Sequence, residues 1–275
     1  MTNADEWQNR VGQVWADLFP RTDRAFAGLT QMLLEKLASV PGGAIADVGC
    51  GAGELSLALA AARPYADVCG IDISEALLAR ARERAAGAGN VRFVSGDAAQ
   101  WQPGDRFRPD LLVSRHGVMF FDDPVAAFAH LRAVAAADAR MVFTCFRAAS
   151  GNVWASGMAH ALDLPPPGDP DAPGPFAFAE EDRVRSILTR AGWRDIVLEP
   201  ADFSFVTGGG PDPIADSLFY FQHIGPAARF LHELDDADHR AALLRKLEQW
   251  LRPYRSGDVV AFPAQAWIVS ARRRD

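Results

Sequence analysis

A short apolar strand, a glycine loop and an apolar helix follow one another in this chain, and few folds accommodate that succession. The strand is Ala44 to Val48, the loop contains Gly49, Gly51 and Gly53, and the helix extends from Glu54 to Ala62. Glycines remove the Cβ atoms that would hold backbone away from a ligand, and the helix beyond them presents free N–H groups. The sequence therefore predicts a strand–loop–helix unit whose loop lies against a bound molecule.

The alternation of strands and helices continues beyond this unit. Apolar runs predict strands at 67–71, 91–94, 110–114 and 141–146, and amphipathic patterns predict helices at 74–86 and 123–136, with Ser74 and Asp123 as N-caps. Continuous apolar strands separated by amphipathic helices are typical of a parallel sheet covered on both faces. We therefore expect an α/β fold with a doubly wound, mostly parallel sheet.

The remaining sequence predicts a single domain over 1–275 with additions to the sheet. Helices are expected within about 1–40, the sheet core within about 43–205 and 257–275, and a helical cap insertion at about 208–256, before a last strand at 264–271. The insertion contains three helical segments, at 213–222, 226–234 and 237–251. The prolines within 148–175, among them the run at 165–167, predict a long loop with little regular structure.

Composition limits the partners and the compartment. The 28 Lys and Arg against 35 Asp and Glu give a formal net charge of −7, which disfavours binding to nucleic acid or to an anionic membrane. No window approaches the ~20 apolar residues that cross a bilayer, and the acidic first residues do not resemble an export signal. Cys50, Cys69 and Cys145 form no Cys-x-x-Cys pair, so we expect a reducing, cytoplasmic location and no metal site.

The glycine loop lacks the pattern of a dinucleotide site. In G-x-G-x-x-G the third glycine would stand at Glu54 or Ser56, and the Glu54 carboxylate would oppose a pyrophosphate. Asp72 follows the second strand, 19 residues after Gly53, where a carboxylate can accept hydrogen bonds from both hydroxyls of a ribose. Asp97 follows the third strand and can accept from an exocyclic amino group. A nucleoside without phosphate fits these positions.

These segments resemble the class I S-adenosylmethionine-dependent methyltransferases of the bacterial small-molecule type. The resemblance rests on Asp47-Val-Gly-Cys-Gly-Ala-Gly53, Gly70-Ile-Asp72-Ile-Ser74, Gly96-Asp97-Ala98 and the segment 110–123, in this order and spacing. It implies a Rossmann-like methyltransferase fold, S-adenosyl-L-methionine as cofactor and S-adenosyl-L-homocysteine as product. The segment 7–15 is similar to the helix that such enzymes fold over the cofactor.

The resemblance also implies a role for particular residues. Asp47, Gly49 and Gly51 would hold the methionine part, Asp72 the ribose, and Asp97 with Ala98 the adenine, on which Ile73 would pack. The predicted cofactor-binding residues are Trp15, Asp47, Gly49, Cys50, Gly51, Asp72, Ile73, Asp97, Ala98 and Ser114.

Residues 114–121 follow the fourth strand and are expected to line the space where methyl group and acceptor meet. His116 is the candidate catalytic residue, because an imidazole with an ordinary pKa of ~6.5 can take a proton from a hydroxyl or amine. It departs from the aromatic or small residue expected there by family resemblance. A structural role for His116 is the alternative. Trp154, after the fifth strand, would wall the acceptor pocket or be part of the core.

The sequence favours methyl transfer to a small-molecule acceptor and leaves other functions open. An NAD(P)-dependent oxidoreductase is one alternative. A protein of methyltransferase fold that binds the cofactor without methyl transfer, or that runs a different reaction, is the other. The insertion at 208–256 would serve as a lid or as the surface of a homodimer.

Overall fold

The computed structural model describes residues 4–165 and 168–274. Within these ranges eleven α-helices and eight strands are present. The helices are α1 (Ala4–Gln8), α2 (Arg10–Asp17), α3 (Phe19–Ala38), α4 (Glu54–Ala62), α5 (Glu75–Arg84), α6 (Pro124–Val134), α7 (Val153–Ala161), α8 (Glu181–Arg190), α9 (Pro213–His223), α10 (Pro226–His232) and α11 (Ala237–Leu251). The strands are β1 (Ala44–Val48), β2 (Asp67–Asp72), β3 (Val91–Ser95), β4 (Leu111–Arg115), β5 (Arg140–Phe146), β6 (Arg194–Gly209), β7 (Arg255–Ser256) and β8 (Val259–Arg272).

The strands form one mixed sheet in the order β3-β2-β1-β4-β5-β8-β6, with β7 paired to β8. Strands β1 to β5 are parallel to one another, whereas β8 is antiparallel to both β5 and β6. The order reverses at β1, since β2 lies on one side of it and β4 on the other. The expectation of a doubly wound, mostly parallel sheet is confirmed, and ligands bind such sheets at the point of reversal.

The elements before residue 147 agree with the sequence analysis to within a few residues, because local signals determine them. The Oγ of Ser74 accepts from the Leu77 N–H at 3.5 Å and the Oδ1 of Asp123 accepts from the Ala126 N–H at 3.0 Å, as expected of N-caps. Helix α3 (Phe19–Ala38) lies within the range of about 1–40 in which helices are expected.

The loop predicted between 148 and 175 is wrong over part of its length. Helix α7 occupies residues 153–161 and buries Trp154 and Met158 in the core. The prolines exert their effect only from Pro165 onward, so the preceding segment is free to form a helix. Pro166 and Pro167 lie outside the described residues.

The predicted last strand, at 264–271, is too short. Strand β6 has 16 residues and β8 has 14, and they pair from Arg194 opposite Arg272 to Gly209 opposite Val259. Helix α3 packs on β6, and α9 packs on β6 and β8. The carboxylate of Asp216 on α9 accepts from Arg21 Nε at 2.8 Å and from Arg24 Nη2 at 2.6 Å, which fixes α9 to α3.

One apolar face of helix α3 is part of the hydrophobic core. Leu29, Leu33 and Leu37 recur on one face of α3 and are fully buried. Burying an apolar side chain of this size contributes about 1.5–3 kcal/mol to folding relative to leaving it exposed. Helix α3 therefore depends on this face for its position above the sheet.

We expect Leu33→Ala to lower the free energy of unfolding by about 3 kcal/mol, because it leaves a cavity under α3 that its neighbours cannot fill. Gln31→Ala, at an exposed position of the same helix, is the matched control and should change it by less than about 0.5 kcal/mol. Equilibrium urea unfolding of both variants measures the difference. Equal destabilisation by the two substitutions would contradict this account of α3.

Candidate active site

A cavity of about 550 Å³ lies at the carboxyl ends of β1, β2, β3 and β4, where the strand order reverses. Its walls come from the loops after these strands and from α1, α2 and α3. The arginine among the described lining residues is Arg115. The acidic residues among them are Asp23, Asp47, Glu54, Asp72, Asp97, Asp122 and Asp123. The cavity is thus a strongly acidic chamber with one guanidinium in its wall.

The glycine loop after β1 passes so close to the loop after β4 that a side chain does not fit. A Cβ on Gly49 would lie 2.8 Å from the Cα of Gly117, and Gly49 itself has a φ of 66°. A Cβ on Gly51 would meet no atom within 4 Å, although Gly51 has a φ of 55°. Gly49 therefore serves the packing of two loops, while Gly51 leaves open space on the side of the cavity.

The carboxylate of Asp72 ties the glycine loop to the second strand. Its Oδ2 accepts from the Gly51 N–H at 2.8 Å and its Oδ1 accepts from the Ser74 N–H at 2.9 Å. Burial raises the pKa of Asp72 above its ordinary value, against these backbone hydrogen bonds. Each oxygen keeps a further lone pair, so the group can still accept hydrogen bonds from a ligand.

Asp47 lies at the floor of the cavity. Asp47 is only 1% exposed, and its Oδ2 accepts a hydrogen bond from the Ser56 hydroxyl at 2.6 Å. Burial raises the pKa of Asp47 to about 6, against the opposing effects of the Ser56 hydrogen bond and the Arg115 charge. A cationic group on a ligand would favour the ionised form of this carboxyl group.

The loop after β3 supplies the third set of predicted residues. Ile73, Asp97 and Ala98 all line the cavity, as the sequence analysis expects of an adenine site. The Asp97 carboxylate accepts from the Ala99 N–H at 2.8 Å and from the Gln100 amide at 3.2 Å. These bonds orient the carboxylate at the rim of the cavity.

The N-terminal helices close the cavity with aromatic rings. Trp7 on α1 packs edge-on against Trp15, with ring centroids 5.3 Å apart, and against Phe120, at 5.2 Å. The predicted contact of Trp15 with the cavity is present. The buried indole Nε1 of Trp7 has no hydrogen-bond partner, although it belongs to a residue of the cavity wall.

A charged cluster in the wall escaped the sequence analysis. Arg115 Nη1 contacts the Glu54 carboxylate and donates to Thr30 Oγ1 at 2.8 Å. Asp23 forms an ion pair with Arg84 at 2.8 Å. Burial and the neighbouring Glu54 raise the pKa of Asp23 to about 6, while the arginines oppose them. A sequence signal exists, since Asp23 and Thr30 flank the apolar residue Phe26 at helical spacing and so share its buried face.

His116 follows β4 with an unusual backbone and an unusual ring environment. Its φ is 65°, a left-handed conformation uncommon for residues other than glycine. Its Nδ1 lies 3.2 Å from Thr144 Oγ1, whereas its buried Nε2 has no hydrogen-bond partner. Burial lowers the pKa of His116 to about 3, against the Thr144 hydrogen bond. The ordinary pKa assumed for a general base is therefore wrong, and the imidazole is neutral at pH 7.

The structure also places three further candidate residues, Ser114, Trp154 and Cys50. The Ser114 hydroxyl donates to the Val48 carbonyl at 2.7 Å and accepts from the Gly117 N–H, and the residue does not line the described part of the main cavity. Trp154 is a core residue whose Nε1 donates to Asn152 Oδ1 at 3.2 Å. Cys50 lines the cavity, and burial raises the pKa of its thiol well above the ordinary value.

The insertion at 208–256 contributes no residue to the described lining of the cavity. Its role as a lid or a dimer surface thus stays a prediction. Across residues 4–165 and 168–274, no group of three or more His, Cys, Asp or Glu is arranged to hold a metal ion. Among the described helices, none combines the length and the apolar character needed to span a membrane.

Comparison with known proteins places the glycine loop and its neighbours in a defined family. Residues 45–138 match the family model described as a methyltransferase domain. A trans-aconitate 2-methyltransferase of Acidovorax sp. (strain JS42) is 30% identical over 158 residues, which cover 58% of this chain and 49% of that protein. The chain spans about half or less of the length of the first curated relatives it matches.

Solved structures share the architecture at low sequence identity. The magnesium protoporphyrin IX methyltransferase of Synechocystis PCC 6803 with bound SAH has a TM-score of 0.55 at 17% identity, covering 98% of this chain and 97% of that one. The cyclase SpnF has a TM-score of 0.55 at 18% identity, covering 97% and 96%. At these identities the structures show that the chain shares its fold with solved methyltransferases, and the family model adds a methyltransferase domain at residues 45–138.

We expect Gly49→Ala and Gly51→Ala to have different effects on stability. Both place a side chain at positive φ, which costs about 1–2 kcal/mol, but only at Gly49 would the new Cβ lie 2.8 Å from backbone. Thermal unfolding should therefore show the larger loss of melting temperature for Gly49→Ala. Gly51→Ala should fold and interfere with ligands instead. Equal losses for the two variants would contradict the packing of Gly49 on Gly117.

Proposed function

We propose that this protein transfers a methyl group from S-adenosylmethionine to a small-molecule acceptor. The observation that carries the proposal is the opening of the glycine loop at Gly51 into a cavity that Asp47 and Asp72 also line. These groups come from two adjacent parallel strands, β1 and β2. The nucleoside part and the amino-acid part of the cofactor would bind side by side at the carboxyl end of the sheet.

The residues present fit the nucleoside part of the cofactor. The free lone pairs of Asp72 would accept from the two ribose hydroxyls while its present bonds keep the glycine loop in place. Ile73 and Ala98 provide apolar contacts for a flat ring, and the Asp97 carboxylate is oriented to accept from an exocyclic amino group. Glu54, at the start of α4, disfavours a pyrophosphate there, which supports a ligand without phosphates.

The residues also fit the methionine part. An amino acid carries one ammonium and one carboxylate, and the cavity wall contains side chains of opposite charge to each. Asp47 and the neighbouring Glu54 and Asp23 are suited to the ammonium, whereas Arg115 is suited to the carboxylate. We propose that Arg115 exchanges part of its contact with Glu54 for the ligand when the cofactor binds.

The cofactor supplies an activated methyl group on a sulfonium, and the chain supplies alignment and exclusion of water. The rings of Trp7, Trp15 and Phe120 cover the cavity from the N-terminal side. Direct displacement requires the nucleophile, the methyl carbon and the sulfur to be collinear, and enclosure favours that arrangement. We propose that His116 contacts the acceptor as a neutral hydrogen-bonding group.

The charge of the cavity bears on the choice of acceptor. Because a curated relative is named a trans-aconitate 2-methyltransferase, trans-aconitate is one acceptor to test. The described cavity lining, with seven acidic residues and one arginine, does not favour a tricarboxylate. We also propose that the protein acts in the cytoplasm without nucleic-acid or membrane partners. The same proposal keeps both roles for the insertion at 208–256, a lid or the surface of a homodimer.

The affinity for S-adenosylhomocysteine should rise with pH between about 5 and 7. Ionisation of Asp47, whose pKa in the empty protein is about 6, creates a negative charge that the ligand ammonium favours. The stability of the ligand-free protein changes in the opposite direction. Because the pKa of Asp47 is higher in the folded than in the unfolded state, the free energy of unfolding falls as pH rises from about 4 to 6. Calorimetric titration at several pH values measures the affinity.

Asp47→Asn should flatten that pH dependence. Asp23, whose pKa is also about 6, contributes to the same range, so Asp23→Asn measured in parallel separates the two carboxyl groups. An unchanged slope in Asp47→Asn would show that Asp47 does not face the ligand charge.

The first test of the proposal is calorimetric titration of S-adenosylhomocysteine, with NADH as the competing ligand. Asp72→Asn should weaken S-adenosylhomocysteine binding at least tenfold, because it replaces an acceptor oxygen that the ribose hydroxyls need. Asp67→Asn is the matched control, since Asp67 is an exposed acid at the opposite end of β2. Binding of NADH alone would favour the oxidoreductase alternative.

A second measurement separates binding from chemistry. Transfer of the labelled methyl group of S-adenosylmethionine to a broad acceptor panel should accompany binding. Tight S-adenosylhomocysteine binding without transfer to any acceptor would favour a cofactor-binding protein or an enzyme with a different reaction.

A further inference from the structure

Two buried polar atoms of the cavity wall, Nε1 of Trp7 and Nε2 of His116, have no hydrogen-bond partner, and the cofactor fit described above uses neither. The Nε2 of His116 is buried without a hydrogen-bond partner, and the whole residue is only 8% exposed. An unsatisfied buried nitrogen costs about 1–3 kcal/mol, and a ligand that donates a hydrogen bond to it would remove that cost. His116 is also among the residues that line the cavity.

The imidazole ring is held in one orientation by its surroundings. Thr144 Oγ1 lies 3.2 Å from Nδ1, and the His116 N–H donates to the Thr144 carbonyl at 3.2 Å. The ring lies against Phe146 at 4.2 Å between centroids and meets Phe26 edge-on at 5.3 Å. The strained φ of 65° is therefore maintained by contacts that fix the direction of Nε2.

The cavity around this nitrogen has aromatic walls. Phe26, Phe120 and Phe121 line it together with the two tryptophans of the N-terminal helices. Flat rings pack against such walls in offset or edge-on arrangements, which contribute beyond the apolar area buried. The shape and chemistry of the wall favour an acceptor that is itself aromatic.

The charge of the cavity argues against an anionic acceptor. Seven acidic residues line it, and the one arginine among the described lining residues already contacts Glu54. A carboxylate on the acceptor would add a like charge to this acidic chamber without a free cation to pair with it. An uncharged acceptor avoids that repulsion.

We propose that the acceptor is an uncharged phenol whose hydroxyl group hydrogen-bonds to Nε2 of His116. This inference rests on the proposed methyl transfer. The phenolic oxygen forms a bond to the methyl carbon as the carbon–sulfur bond breaks, and the electron pair of that bond stays on sulfur. The phenolic proton is released to solvent, so atoms and charge balance.

A phenol suits this site better than an aliphatic alcohol. The pKa of a phenolic hydroxyl is ~10, which makes its proton far easier to lose than that of an alcohol. The pKa of His116 is lowered to about 3, so the imidazole positions the hydroxyl and is a weak proton acceptor. An acceptor that needs no strong base is consistent with such a residue.

Matched acceptors test the proposal. Methyl 4-hydroxycinnamate is an uncharged phenol, 4-hydroxycinnamate adds a carboxylate, and cinnamyl alcohol replaces the phenol by an aliphatic hydroxyl. Larger phenols of two and three rings, each with a carboxylated counterpart, extend the panel, and trans-aconitate represents a tricarboxylate. Labelled methyl transfer should give a kcat/KM at least tenfold higher for uncharged phenols than for their carboxylated or aliphatic counterparts.

Variants of His116 test the contact itself. His116→Phe keeps an aromatic ring but removes Nε2, and should lower kcat/KM for the best phenol at least tenfold, mainly through KM. His116→Asn restores a polar group and tolerates positive φ, so it should recover part of the loss. His223→Phe, at an exposed position outside the described lining, is the matched control and should behave as the wild type.

The outcomes separate this inference from the proposed function. S-adenosylhomocysteine affinity and melting temperature are measured for every variant, and both should stay close to wild type in His116→Phe. Failure of the wild type to bind S-adenosylhomocysteine would overturn the proposed function. Binding with preference for carboxylated acceptors, with no turnover of any phenol, or with unchanged kcat/KM in His116→Phe, would overturn the phenol proposal alone.

Discussion

The contact between two loops at Gly49 and Gly117 determines where a ligand can bind to this protein. Strands β1 and β4 are neighbours in the sheet, and their following loops meet where a Cβ on Gly49 would lie 2.8 Å from the Gly117 Cα. With this contact in place, the Ser114 hydroxyl joins the two loops by bonding to Val48 and Gly117. The loops then diverge and leave the cavity between them. A larger residue at either glycine would separate the loops and change the shape of the chamber.

The cavity concentrates ionisable groups that water would otherwise solvate. Burial raises the pKa values of Asp47, Asp72 and Asp23, and each carboxylate is held by a hydrogen bond or an ion pair within the wall. Such groups cost free energy in the empty protein because they lose hydration. A ligand with a complementary charge reduces that cost, so the arrangement favours the bound state at the expense of stability without ligand.

The sheet and the acidic strand ends were predictable from the sequence because their signals are local. The glycine loop, the apolar runs and the N-caps each lie within a few residues of the element they define. The charged cluster was not predictable in the same way, since Asp23 on α3 and Arg115 at the end of β4 come near each other only in the folded chain. The lowered pKa of His116 also depends on burial against Phe146 and Phe26, rings that are distant in sequence. Helix α7 was missed because the prolines that follow it dominated the composition of its segment.

Strand β8 follows all the other described strands in sequence, yet it lies inside the sheet between β5 and β6. During synthesis, β6 has no partner in the sheet until β8 has emerged, and β5 exposes its open edge for the same period. Unpaired edges of this length are sites at which chains associate wrongly. The sheet is thus completed only at a late stage of synthesis. Until then, the nascent chain depends on the helices packed over β6, among them α3, to protect its edge.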